Sequence, residues 1–427
     1  MVQLNNTFEQ LAKSDQPPAQ KQSRARQKVS QSSTTPSTSL STLPQSTHQL
    51  LSLLARLFIP LRISPSFTSH LQRVKGLLYD KDYLRAFGSE GEEGERWRQV
   101  YVARWTPARA VMYERVFEEC GVAAVLGWAK NEIKEADTEE QELKRERERA
   151  KRRREWKKEG KSGAEIDALE LELELAQGAT LGQAQPREQP DEHHILMLGA
   201  GAGSEVVALG SCLGAAASSP TSSSTHRRPR IQVDVVDQGA WGGLLNQMMD
   251  GLKEEWPALS SSTFSSTTPT EHGTFGLAFK HTDVLATPPS SSDVETPAPV
   301  ILLRPSTRLI TIFYTISELL LQSRPSTLRL LSSFSTTSPG TFLLIVESAS
   351  LALIPLGKEG RTYPLGTLLD HALCGAQGEG SWEKVKSEEA KWYRMPEGAE
   401  EVYNPVGSGE RVKLENSRVV LRLYRRK

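Results

Sequence analysis

From His193 to Val346, short apolar runs alternate with helical stretches, and no other feature constrains the fold of this chain as much. The runs are Ile195–Leu198, Ile231–Val236, Phe275–Phe279, Leu309–Phe313 and Phe342–Val346. Helical patterns fall near Ser204–Ala216, Trp241–Leu252 and Pro325–Phe334. Apolar strands alternating with helices predict a parallel sheet covered on both faces. The first run ends in Gly199-Ala200-Gly201-Ala202-Gly203 and opens into Ser204-Glu205-Val206-Val207. A strand, a glycine turn and a helix N-terminus bring backbone N–H groups close to a nucleotide-like ligand, because glycine has no Cβ to hold that ligand away. The turn is not a P-loop, since no Gly-Lys-Ser/Thr follows. Glycines at such turns also serve packing alone, so the turn needs support from elsewhere.

Two strand ends supply it. Asp237, followed by Gln238, closes the second run. A carboxylate there can accept hydrogen bonds from both ribose hydroxyls of an adenosine. Asp283 closes the third strand in Thr282-Asp-Val-Leu285, where it can face an adenine amino group with Val284 against the ring. Either aspartate can instead be a turn or capping residue. Near the end, Lys391–Arg394 and Arg418–Tyr424 are both strand-like and need no helix between them. Together these features fit S-adenosylmethionine better than NAD. They predict an α/β fold over 191–427: a Rossmann-like, seven-stranded class I methyltransferase sheet with its last strand antiparallel.

In an open parallel sheet the C-terminal strand ends line the ligand crevice. Tyr314, Thr315, Ser317 and Glu318 follow the fourth run and so are placed to meet the methyl donor or its acceptor. Glu318 is the only carboxylate there, and it is equally a residue that a helix N-terminus favours. The candidate cofactor-binding residues are Gly199, Ala200, Gly201, Gly203, Asp237, Gln238, Asp283, Val284 and Thr315. The candidate catalytic residues are Glu318, Tyr314 and Ser317. Beyond the fifth run, Lys358, Arg361 and His371 can touch a nucleic-acid phosphate or base, although an isolated histidine is more often structural. Cys120, Cys212 and Cys374 lie far apart with no Cys/His cluster, so no metal site is expected.

The rest of the chain divides by composition. Residues 1–46, rich in Ser, Thr, Gln and Pro, read as a disordered tail. Residues 47–130 carry Leu50, Leu54, Leu71, Val74, Tyr101, Trp105 and Met112 at helical spacing and read as a small helical domain. Arg98, Arg104, Arg109 and Arg115 decorate it. Residues 131–190 form a charged helical insertion and linker. Its cluster Lys151-Arg-Arg-Arg154, with Lys157-Lys158, suits an import receptor or a phosphate backbone, and a merely solvated helix is the alternative. Ser/Thr/Pro-rich stretches at 217–229 and 286–299 read as surface loops. No apolar run approaches the roughly 20 residues needed to cross a bilayer, and no secretory signal opens the chain, so no membrane partner is expected.

Several of these segments carry a resemblance. Leu198–Glu205, Leu309–Leu319, Leu344-Ile-Val-Glu-Ser348, Tyr363-Pro364 with Leu368-Leu-Asp-His371, Trp392-Tyr-Arg394 and Leu423-Tyr-Arg-Arg426 occur in this order. The chain resembles the fungal S-adenosylmethionine-dependent methyltransferases that modify uridine N3 of large-subunit (25S) ribosomal RNA. The likeness covers about residues 50–130 and 190–427. It implies a ribosomal RNA substrate in the pre-ribosomal large subunit and a location in the nucleus or nucleolus, and also in the cytoplasm. It further implies an N-terminal helical region that grips RNA. Glu318 would then act as base, with Tyr314 or Ser317 orienting the ring. Where the family pattern has Thr-Asn-Glu-Leu, this chain has Thr315-Ile-Ser-Glu-Leu319, so a Ser317 hydroxyl would replace an amide. Two other readings stand beside this one: a protein or small-molecule methyltransferase, and a non-catalytic methyltransferase-like scaffold in ribosome assembly. No Asp/Asn-Pro-Pro-Tyr follows the fourth run, which argues against adenine N6 as the acceptor.

Overall fold

All five apolar runs become parallel strands in the computed structural model. They are β1 (Glu192–Leu198), β2 (Arg230–Asp237), β3 (Phe275–His281), β4 (Thr307–Phe313) and β5 (Phe342–Ser348). A small ribbon follows, β6 (Leu353–Pro355) antiparallel to β7 (Thr362–Pro364). The last two strands, β8 (Trp382–Tyr393) and β9 (Ser417–Arg426), return to the main sheet. Its seven strands stand in the order β3-β2-β1-β4-β5-β9-β8. β9 runs antiparallel between β5 and β8, pairing Ile345 with Arg422. This is the class I methyltransferase sheet expected from the sequence, and the reversal at β9 separates it from a plain dinucleotide-binding domain.

The described residues are 43–88, 91–129, part of 151–165, 192–218, 228–260, 274–286, 303–355 and 362–427 apart from 377. The expected tail lies outside them up to residue 42, as do most of the charged insertion and both Ser/Thr/Pro-rich loops. Lys358 and Arg361 lie outside them too.

The helices are α1 (Gln45–Arg62), α2 (Phe67–Tyr79), α3 (Gly91–Glu119), α4 (Val122–Val125), α5 (Ser204–Ser218), α6 (Gly242–Glu255), α7 (Ile316–Gln322), α8 (Arg324–Ser333), α9 (Leu365–Cys374) and α10 (Ala399–Tyr403). Alternation along each strand divides them between two faces. Ile195 and Met197 of β1 face the core formed with α1, α3, α5 and α6. Leu196 and Leu198 face the other core, with Leu330 of α8 and Leu369 of α9. Both faces are dry, which is why β1 reads as a continuous apolar run. The short α10 intervenes between β8 and β9, where the sequence required no helix.

The N-terminal helices are bolted onto the sheet domain rather than merely laid against it. Leu50 and Leu54 of α1 and Val100 and Val111 of α3 share one buried cluster with Val206 and Leu209 of α5. Glu114 of α3 is fully buried and accepts hydrogen bonds from Thr47 Oγ1 of α1 (2.7 Å) and Ser211 Oγ of α5 (2.5 Å). Pro107 sits inside α3. Proline has no N–H, so the Ala103 carbonyl lacks its helical donor. The Tyr403 hydroxyl of α10 supplies one at 2.7 Å. Beside it, Thr106 Oγ1 donates to the Ala202 carbonyl at 2.9 Å, which ties α3 to the glycine turn.

This packing also claims most of the arginines that decorate α3. Arg98 donates to the Phe87 carbonyl (2.9 Å), and Arg104 to Glu415 (2.6 Å) and the Lys413 carbonyl (3.0 Å). Arg115 donates to the Arg394 carbonyl at 2.7 Å. Helical periodicity cannot tell an arginine facing solvent from one that brackets two elements. Among the described residues no single helix is long and apolar enough to cross a membrane.

Candidate active site

Parallel pairing puts the ends of β1, β2 and β4 on one edge of the sheet, and a cavity of about 330 Å³ opens there. That volume lies within the range of small-molecule sites. One wall carries Gly199, Asp237, Gln238, Asp283, Val284 and Thr315. The facing wall carries Tyr101, Trp105 and Arg109 of α3, with Tyr314, Glu318 and Ser417.

The glycine turn is shaped by its neighbours. Gly199 has φ +74, and a Cβ there would lie 2.2 Å from Thr315 Oγ1. Only a residue without a side chain lets the end of β1 meet the end of β4 so closely. At Gly201 a Cβ would lie 1.9 Å from the Trp241 ring. The Trp241 indole Nε1 in turn donates to Asp237 Oδ1 at 2.9 Å. Asp237 also accepts the N–H of Gly239 (2.7 Å) and of Gly201 (3.0 Å). Burial raises its carboxyl above the usual range, against these three donors. Asp283 accepts the Leu285 N–H at 2.9 Å and Gln322 Nε2 at 3.1 Å. Two aspartates near adjacent strand ends, in one cavity with a Cβ-free turn, can accept hydrogen bonds from ribose hydroxyls and an adenine amino group. Ala200, Gly201 and Gly203 lie behind that wall rather than on it.

Tyr314 is one of two non-glycine residues with positive φ among the described residues, at +55. Such a backbone is strained for a side chain with a Cβ. It is held by the Tyr314 N–H donating to the Val346 carbonyl at 2.8 Å. The strain aims the ring into the cavity, 6.3 Å from the ring of Tyr113. Glu318 follows one turn later on α7. It is open to the cavity yet deep among protein atoms, and burial, then the nearby Glu347, pushes its carboxyl up to about 7. Glu347 is fully buried at the end of β5. Its oxygens accept the N–H of Ser317 (3.0 Å) and of Ser348 (2.8 Å).

Ser317 therefore stands elsewhere than the sequence suggested. It is buried, beside the Glu347 carboxylate, and does not line the cavity. Its neighbour Glu318 lines the cavity from the same helical turn. His371 lies on α9, also off the cavity wall. The sequence reading missed the aromatic wall: Tyr83, Phe87, Tyr101, Trp105 and Trp241. Part of it was legible, because Tyr101, Trp105 and Arg109 recur every fourth residue and so share one helix face.

Glu205, on the first turn of α5, is the least comfortable carboxyl nearby. It is buried, accepts a short hydrogen bond from Thr311 Oγ1, and burial raises it to about 8. The fold thus holds a proton that the unfolded chain has released, so stability from this group is complete below about pH 4.3. It declines as pH rises and is gone above about 8. Glu205→Gln keeps an acceptor for Thr311 and removes the titration. Its melting temperature should match the wild type near pH 4 and exceed it increasingly up to pH 8. Calorimetry across that range checks this; an offset that is constant with pH contradicts it.

Known proteins similar to this chain are methyltransferases. A 25S rRNA (uridine(2843)-N(3))-methyltransferase of Saccharomyces cerevisiae is 24% identical over 373 residues, covering 84% of this chain and 77% of the yeast protein. Among solved structures, a S-adenosylmethionine-dependent methyltransferase from Clostridium acetobutylicum overlaps 55% of this chain and 83% of its own length, at 9% identity and TM-score 0.25. The 16S rRNA methylase RmtB overlaps 90% of this chain and all of its own length, at 13% identity and TM-score 0.28. The profile of a family described as "Putative SAM-dependent methyltransferase" matches residues 54–425. That span runs from within α1 to the end of β9 and takes in both cavity walls, so the chain belongs to this family of S-adenosylmethionine-dependent methyltransferases.

Proposed function

We propose that the protein methylates N3 of a uridine in large-subunit (25S) ribosomal RNA. One observation carries the reading: a carboxyl with its midpoint near neutrality, Glu318, shares a cavity with flat aromatic faces, and that cavity continues into the cofactor wall. The yeast relative, whose name states this reaction, supports it.

When bound, S-adenosylmethionine supplies a methyl group already activated on sulfonium, so alignment contributes much of the rate. Uracil N3 carries a proton and is a poor nucleophile until that proton leaves. Glu318 accepts it: the N3–H bond breaks, the proton passes to a carboxylate oxygen, and the pair left on N3 points at the methyl donor. Tyr314 and the α3 aromatics Tyr101 and Trp105 hold the ring by stacking, as aromatic faces do for an unstacked base. A folded RNA must release that base from its stack first. Gly199, Asp237, Gln238, Asp283, Val284 and Thr315 hold the cofactor, while Ala200, Gly201 and Gly203 shape the turn behind it. Tyr314 is a catalytic residue in this scheme; Ser317 is a positioning residue that fixes Glu347. On this reading the protein works in the nucleus or nucleolus, and exposed Lys151, Arg153 and Arg154 would offer an import receptor a basic face.

The test is incubation of the purified chain with methyl-labelled S-adenosylmethionine and large-subunit ribosomal RNA, followed by nucleoside analysis. Label in N3-methyluridine supports the reading. Label in protein or in another nucleoside overturns it, and no transfer to any acceptor favours the scaffold reading.

A further inference from the structure

Arg109 differs from the other enclosed arginines of this fold. Arg62 donates to Asn404 Oδ1 and the Tyr403 carbonyl, Arg104 to Glu415, and Arg422 to Glu389. Arg109 has one hydrogen bond among the described residues, from Nη1 to the Tyr101 hydroxyl at 2.7 Å, and no ion pair there. Its guanidinium lies 5.3 Å from the ring centre of Tyr314 and 5.7 Å from that of Tyr101. A guanidinium carries five N–H donors. Half-buried and with no carboxylate hydrogen-bonded to it among the described residues, it has donors to spare, and the surface it leaves open is the cavity wall.

Resting on the uridine reading above, we propose that Arg109 is a catalytic residue, neutralising the negative charge that grows on the O2–N3–O4 edge of uracil as N3 yields its proton to Glu318. The surroundings select this anion over a permanent one. Glu318 and Glu347 both lie close enough to interact electrostatically with Arg109. A ligand that arrives as a carboxylate would meet these two carboxyls and be repelled. Neutral uracil is not repelled, and its charge appears only as Glu318 loses its own by taking the proton. The total charge around Arg109 is therefore constant through the step. A donor set that gains strength only as charge develops lowers the barrier without tightening ground-state binding. An arginine guanidinium does not give up its proton in this range, so the charge is present throughout the working pH range.

The test compares Arg109→Gln and Arg109→Lys with the wild-type full chain on two RNA fragments of identical sequence. One carries uridine at the target and the other 5-fluorouridine, whose fluorine withdraws electrons and stabilises the N3 anion. Arg109→Gln should lower kcat on uridine by about 10²–10³-fold, the loss typical of removing an oxyanion donor. The deficit should shrink on 5-fluorouridine, Arg109→Lys should recover part of the rate, and the Kd for S-adenosylhomocysteine by calorimetry should not change. Equal deficits on both RNAs overturn the proposal, as does a loss confined to cofactor affinity, which would assign the guanidinium to the carboxylate of the cofactor. A wild-type chain that forms no N3-methyluridine on either RNA removes the uridine reading, and the role of Arg109 with it.

Discussion

Glu318→Gln should bind S-adenosylmethionine as the wild type does and lose methyl transfer by about 10²–10⁴-fold, the range expected when a general base is removed. The substitution keeps the shape of the side chain and its place on α7, and it removes the one cavity-facing carboxyl on that helix. The wild-type pH profile should carry the same signature. Burial and the neighbouring Glu347 hold Glu318 at about 7, so it is protonated and inert as a base below that pH. The rate should climb about tenfold per pH unit up to that value and level off above it. Single-turnover kinetics from pH 5.5 to 9 check both statements. A flat profile, or a Glu318→Gln variant at full rate, would assign Glu318 to helix capping alone.

The second large effect concerns the cofactor. Gly201→Arg should abolish S-adenosylmethionine binding by titration calorimetry. Even a Cβ at this position lies 1.9 Å from the Trp241 ring. Trp241 cannot retreat cheaply, since it is buried, donates to Asp237 and packs 5.1 Å from the ring of Phe87. A thermal melt separates lost binding from lost folding. Asp237→Asn provides a milder variant. Its amide nitrogen would confront the N–H groups of Gly201 or Gly239, and affinity should fall by about 10–100-fold. Undiminished binding in both variants would place the cofactor away from the ends of β1 and β2.

The sheet was legible in the sequence because both its faces are dry. Ile195–Leu198 and Leu309–Phe313 are unbroken apolar runs for that reason, and the glycines and aspartates at their ends mark where the chain turns away. The antiparallel return of β9 was legible in Arg418–Tyr424 for the same reason. What escaped depends on which way one side chain faces within a turn. Ser317 and Glu318 are neighbours in sequence, yet one is buried against Glu347 and the other opens to the cavity. Composition cannot separate them, because α7 starts directly after the strained Tyr314. The arginines of α3 pose the same difficulty. Arg104 and Arg109 are five residues apart on one helix and both line the cavity, and only tertiary contacts reveal that the first is paired with Glu415 and the second with no carboxylate among the described residues. The aromatic wall escaped because Thr106, which ties α3 to the glycine turn, lies 96 residues before its partner Ala202.

The most direct test of the central claim is nucleoside mass spectrometry of large-subunit ribosomal RNA from cells lacking this protein. N3-methyluridine should fall by one site's worth, return with the wild-type chain, and stay absent with Glu318→Gln expressed at the same level. Unchanged N3-methyluridine in the deletion strain would contradict the account.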